Sequence, residues 1–168
     1  MDLILVGFMG SGKSTVGKLL AQKLDKEYFD LDELVVQRAG MSIQEIFEQS
    51  GEAGFRKIEQ QCLRDTEHLS GILSTGGGTP IPENNQQILN KMGAPVVLLA
   101  ASIETTLARI TDSDGRPLVE QLGPSGLNKL FKQRQIAYSQ VSDFQIHTDR
   151  LSPVEVTEQI MEQFQVVK

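Results

Sequence analysis

Gly7-Phe8-Met9-Gly10-Ser11-Gly12-Lys13-Ser14 satisfies the pattern G-x-x-x-x-G-K-[ST], in which each residue type has a chemical reason. Gly7, Gly10 and Gly12 lack Cβ, so the backbone can bend with its N–H groups turned inward and let a phosphate approach closely. Lys13 brings a point charge to the outer phosphates, and Ser14 offers its hydroxyl to a Mg2+ ion. The candidate nucleotide-binding run is therefore Gly10, Ser11, Gly12, Lys13, Ser14 and Thr15. The alternative is a glycine turn followed by a chance Lys-Ser, and the flanks argue against it. Leu3-Ile4-Leu5-Val6 is an unbroken apolar run of the kind buried on both faces of a parallel sheet. Behind the loop, Val16, Leu19, Leu20 and Leu24 recur at helical spacing. Strand, glycine turn and helix N-terminus add the positive end of a helix dipole to a triphosphate site.

Other candidates stand where strands end. Tyr28-Phe29 reads as a short strand running into Asp30-Leu31-Asp32-Glu33. Ligands collect at the carboxyl ends of strands in open α/β sheets. Asp30 is thus a candidate for the Mg2+ shell beside Ser14, and Asp32 a candidate partner for a substrate hydroxyl. Either could instead be a plain N-cap for a helix over Glu33–Ala39. Gly76-Gly77-Gly78 follows the apolar run Ile72-Leu73-Ser74-Thr75 and marks a close approach to backbone, or else a flexible turn. Arg56, beside Phe55 in a charged helical stretch, is by itself an ordinary solvated arginine. Residues 112–123 are polar and turn-rich, with Arg116 just before Pro117. Such a loop carrying a cation is either a lid over a phosphoryl-transfer site or a surface loop. Arg134 and Tyr138 lie four apart on one helical face. His68 and His147 are isolated, without metal-ligand spacing. Cys62 reads as a small core residue rather than a reactive thiol.

The elements that must hold these residues alternate strand and helix five times. That rhythm predicts an α/β sandwich around a parallel sheet, with right-handed crossovers placing helices on both faces. The helices carry clear punctuation: Ser42 with Glu45, and Ser152-Pro153 with Glu155, are capping boxes. A chain of 168 residues is expected to form one domain with a proper core. Net charge of −6 and a pI near 4.9 argue against a nucleic-acid partner. The sequence has no apolar run long enough to span a membrane. Met1-Asp2 opens no basic leader, and a lone cysteine fits a reducing cytoplasm.

Taken in order, Gly7 to Ser14, Asp30-x-Asp32, Phe55-Arg56, Gly76-Gly77-Gly78, Arg116-Pro117-Leu118 and Arg134-x-x-x-Tyr138 resemble the shikimate kinase family over nearly the whole chain. The resemblance implies a P-loop NTPase fold of the nucleoside-monophosphate-kinase-like type: a three-layer sandwich, sheet order 2-3-1-4-5, and a mobile lid at about 112–123. It implies transfer of the ATP γ-phosphate to the 3-hydroxyl of shikimate, with Mg2+ as cofactor, ATP and shikimate as the small-molecule partners, and a monomer. It assigns Lys13, Asp32 and Arg116 to catalysis. Asp32, Arg56, Gly77, Gly78 and Arg134 bind the acid; Arg109, Arg116 and Pro153 complete the nucleotide site; Ser14 and Asp30 serve the metal. These roles suit the chemistry, since a ring carboxylate calls for guanidinium forks and hydroxyls call for an acceptor. Gluconate kinase is the nearest rival, because gluconate also offers a carboxylate and hydroxyls. A non-catalytic relative would be expected to lose Lys13, Asp32 or one of the arginines, and all are present.

Overall fold

The computed structural model describes residues 1–111 and 117–164, without the side chains of residues 111 and 117–121. Five parallel strands form one sheet in the order β2-β3-β1-β4-β5, the order implied by the resemblance. They are β1 (Leu3–Val6), β2 (Tyr28–Asp30), β3 (Ile72–Ser74), β4 (Val96–Ala100) and β5 (Phe144–His147). The central register pairs Ile4 with Leu73 on one side and with Val96 on the other.

Side chains of successive strand residues point to opposite faces, so the continuous apolar runs fill two cores at once. Ile4, Val6, Leu73, Val96 and Leu98 enter one core. Leu3, Leu5, Ile72, Val97 and Leu99 enter the other. Against the second core pack α1 (Lys13–Leu24) through Val16 and Leu20, and α7 (Pro153–Gln163) through Val156 and Ile160. Against the first pack α2 (Leu31–Ala39), α3 (Ile43–Asp65), α4 (Glu83–Lys91) and α6 (Pro117–Val141), with Leu31, Ile46, Leu63, Leu89 and Tyr138 buried. Helix α5 (Ile103–Thr111) follows β4. Both expected capping boxes are formed, at Ser42–Glu45 and at Ser152–Glu155.

Two helix starts differ from the sequence expectation. Helix α2 begins at Leu31 rather than Glu33, because Asp30 caps it and accepts the Asp32 N–H. Helix α6 begins at Pro117, so the expected lid loop at about 112–123 is helical from 117 onward; residues 112–116, with Arg116, lie outside the described residues. Proline pre-sets φ for a first helical turn, and 118–122 contains no helix breaker. Helices α3 and α6 are each broken inside, at Gly51 (φ 64, ψ −172) and Gly123 (φ 60, ψ 179). That backbone region is open essentially to glycine alone.

Every strand ends toward the same edge of the sheet, so Asp30 lies at the end of β2 and Gly7, Gly76 and Thr148 lie just past the ends of β1, β3 and β5. No described helix is long and apolar enough to cross a membrane.

Candidate active site

A cleft of about 660 Å3 opens along that edge. Its lining includes every described candidate residue: Gly10, Ser11, Gly12, Lys13, Ser14, Thr15, Asp30, Asp32, Arg56, Gly77, Gly78, Arg109, Arg134 and Pro153. The cleft has a phosphate half at the P-loop and a second half beside it.

The phosphate half is the turn from β1 into α1. Gly10 (φ 74) and Gly12 (φ 99) occupy left-handed backbone conformations that a side chain would strain. Gly7 is also required for space, since a Cβ there would lie 2.5 Å from the Leu99 carbonyl oxygen. Lys13 Nζ donates to the carbonyl oxygens of Gly7 (2.8 Å) and Phe8 (2.9 Å), which holds its charge over the loop. At the outer end, Arg109 Nη2 donates to Thr148 O at 2.8 Å, while Nη1 reaches Thr148 Oγ1 at 3.2 Å and Gly10 O at 3.3 Å. This ties α5 to the P-loop and to the β5–α7 connection that carries Leu151 and Pro153. Arg109, Leu151 and Pro153 all line this part of the cleft.

The N-cap reading of Asp30 holds, and the same side chain lies beside Ser14. Its Oδ1 caps α2, and its Oδ2 accepts from Ser14 Oγ (3.3 Å) and Tyr28 Oη (3.2 Å). A serine hydroxyl beside a carboxylate is a hard-oxygen donor set that fits Mg2+ with its water shell. Among the described residues no group of three or more His, Cys, Asp or Glu side chains converges on a metal position. The remaining ligands would have to be water and phosphate oxygens.

The other half is built around Gly76-Gly77-Gly78, and at Gly76 and Gly78 glycine is needed for room rather than for φ. A Cβ on Gly76 would meet Asp32 Oδ1 at 2.7 Å, one on Gly77 would lie 3.6 Å from Arg134 Nη1, and one on Gly78 would meet Arg56 Nη2 at 2.6 Å. Gly76 therefore seats Asp32 against the loop and Gly78 seats Arg56, while Gly77 runs closest to the Met9 backbone N, 3.3 Å from where its Cβ would stand. Arg56 is held by Glu59 (Nη1 to Oε2, 2.8 Å) and more loosely by Glu52 (3.4 Å). Arg134 lies over the Phe8 ring, 5.7 Å from its centroid, and that ring meets Phe131 edge-on. The apolar floor is Ile43, Phe47 and Phe55. Burial first, then the neighbouring Asp30 and Glu59 carboxylates, push the Asp32 carboxyl up to about 6, against the pull of Lys13 and Arg56. It is thus ionised at neutral pH yet basic enough to take a proton.

The family model for shikimate kinase matches residues 9–165. The chain belongs to the shikimate kinase family. A shikimate kinase of Limosilactobacillus fermentum is 46% identical over 162 residues, covering 96% of this chain and 94% of that protein. The shikimate kinase of Acinetobacter baumannii, solved in complex with shikimate, superposes with a TM-score of 0.90 at 33% identity, covering 97% of this chain and 92% of that one. The Aquifex aeolicus shikimate kinase gives a TM-score of 0.85 at 36% identity, over 98% and 96% of the two chains. Like these shikimate kinases, the chain is a P-loop phosphotransferase in architecture.

Sequence reasoning missed the residues that support the cleft of this family member. Glu59 is 1% exposed, yet it reads in sequence as one more charge on a polar helix. Its i,i+3 spacing from Arg56 was the available signal. Thr79, Asn85 and Thr148 carried none, since each is paired to residues remote in sequence or of no distinctive type. His68 and His147 are exposed and Cys62 is buried, as expected.

Proposed function

We propose that this shikimate kinase family member transfers the γ-phosphate of ATP to the 3-hydroxyl of shikimate, giving shikimate 3-phosphate and ADP on the route to chorismate and the aromatic amino acids. One observation carries the reading: the glycine loop gathers one carboxylate and two guanidinium groups at a single cleft beside the P-loop. An acidic polyol is what that set complements. Arg56 and Arg134 take its carboxylate, with the Gly77 and Gly78 backbone against the ring. Asp32 takes the reacting hydroxyl and orients its oxygen toward the γ-phosphorus. As the new P–O bond forms and the bond to the ADP oxygen breaks, Asp32 is the acceptor for the hydroxyl proton. Phosphoryl transfer through a loose transition state needs positioning and charge stabilisation more than a strong base.

Lys13, with the amides of Gly10, Ser11, Gly12, Ser14 and Thr15, grips the phosphates. Arg109 and Pro153 sandwich the base. Ser14, with Asp30 behind it, would hold Mg2+, whose charge offsets that of the β- and γ-phosphates. Arg116 is assigned to phosphate charge stabilisation on its sequence motif alone. We take residues 1–168 as one kinase domain, acting as a monomer with no nucleic-acid or membrane partner. A single buried thiol suits the reducing cytoplasm to which we assign it.

A coupled ADP-release assay tests the reading. Mg-ATP with shikimate should give rapid ADP formation, while Mg-ATP alone or with gluconate should give little. No ADP with shikimate, or a preference for gluconate, refutes it.

A further inference from the structure

The glycine loop is tied at two points, and each tie runs to a different arginine-bearing helix. On one side Tyr138 of α6, 1% exposed, donates its phenolic O–H to Gly77 O over 2.6 Å. It lies one turn beyond Arg134, on the same helical face. On the other side Thr79, fully buried, donates from Oγ1 to Glu59 Oε1 at 2.8 Å. The second oxygen of Glu59 holds Arg56, and Asn85 Nδ2 reaches both Glu59 Oε2 (3.3 Å) and Thr79 O (2.9 Å). Thr79 and Tyr138 do not line the cleft. Burial pushes the Tyr138 hydroxyl up to about 12, so it remains a donor at any working pH.

We propose that Thr79 and Tyr138 are positioning residues which turn the Gly76–Thr79 loop into a brace setting the spacing of the Arg56 and Arg134 guanidinium groups, and thereby the affinity for a carboxylate-bearing acceptor. This inference rests on the proposed acceptor chemistry. The physical ground is that a carboxylate bridging two cations needs both forks at a fixed separation. Arginine side chains alone are too rotamer-rich to fix it. A hydrogen bond from a buried hydroxyl to a buried carboxylate is among the stronger neutral-to-charged contacts. It clamps the Glu59 end, while the short tyrosine bond clamps the Gly77 end. Glycine at 76–78 lets the brace lie directly against the groups it spaces.

The test is steady-state kinetics with shikimate and ATP varied separately, alongside calorimetric titration of shikimate onto the enzyme. Thr79→Val is isosteric and removes the hydroxyl; Thr79→Ser restores it. Thr79→Val should raise the shikimate KM and Kd about tenfold while leaving the ATP KM within about twofold, and Thr79→Ser should return both acid constants to near parental values. Tyr138→Phe should give the same split, and it carries the test alone if Thr79→Val does not fold. The double variant should lose less than the product of the two single losses, because a loop released at one tie no longer transmits the other. Equal rises in both KM values, no rise in the acid constants, absence of rescue by serine, or a fully multiplicative double loss would overturn the brace. An inactive parental enzyme under the same conditions would instead overturn the proposed acceptor.

Discussion

Asp32 illustrates how a single side chain trades stability for chemistry. Its carboxyl is pushed up to about 6, chiefly by burial. An unfolded aspartate titrates near 3.9. Between those values the native state holds a proton that the unfolded state has lost. This contribution to stability is therefore full below about pH 4 and gone above about pH 6. At neutral pH the folded protein carries a penalty on the order of 3 kcal/mol for the ionised group. Asp32→Asn should abolish turnover with ATP still bound, and at pH 8 it should melt higher than the parent, with the gap closing toward pH 4. Melts at the two pH values, beside nucleotide titration, check both halves; a variant that melts no higher at pH 8 removes the penalty, and normal turnover removes Asp32 from the reaction. Gly78 makes the complementary point. A Cβ there collides with the mobile end of Arg56, not with backbone. Gly78→Ala should thus fold with little loss in urea midpoint and raise the shikimate KM by roughly tenfold or more, since a displaced bidentate fork is worth about 2–5 kcal/mol.

At the scale of elements, the two longest helices share one device. Gly51 interrupts α3 shortly before Arg56, and Gly123 interrupts α6 before Arg134. At neither break would a Cβ meet any atom within 4 Å, so the constraint is backbone conformation alone. The sequence signals read differently at the two sites. Ser50-Gly51 is a dipeptide of the kind that marks a turn between two helical runs. Gly123-Pro124-Ser125-Gly126 has the composition of a loop, yet helix continues past it after the break at Gly123. Gly51→Ala should cost about 1–3 kcal/mol in urea unfolding, the range for a residue forced into that region. A midpoint equal to or above the parent's would mean the helix straightens without penalty and the break is not required.

For the whole molecule, the cleft joins parts that the chain brings together from its two ends. Met9–Thr15, Asp30, Asp32, Arg56, Glu59, Gly76–Gly78, Arg109, Arg134, Thr148, Leu151 and Pro153 meet on one edge of the sheet. Ligands should therefore stabilise the whole fold. Mg2+–ADP at about 100 times its dissociation constant should add about 2.7 kcal/mol, or roughly 5–11 °C in Tm for a chain of this size. Chelation with EDTA should remove most of that shift if Ser14 and Asp30 act through the metal. A shift untouched by EDTA would argue against the metal role. Much of this was legible in the sequence because it is local. The phosphate loop is contiguous, buried strands announce themselves as apolar runs, and caps lie within a turn of the helices they start. Asp30, Asp32 and the glycine loop were visible as chemistry at strand ends, though not as neighbours. Only the tertiary structure decided that Gly76 seats Asp32 and Gly78 seats Arg56, that Glu59 is buried under Thr79 and Asn85, and that Tyr138 reaches Gly77. Those partners are separated by 20 to 61 positions, and a buried polar pair leaves no periodic mark on either segment. It exists because the sheet order brings the segments together and an unpaired polar group in that core would be costly.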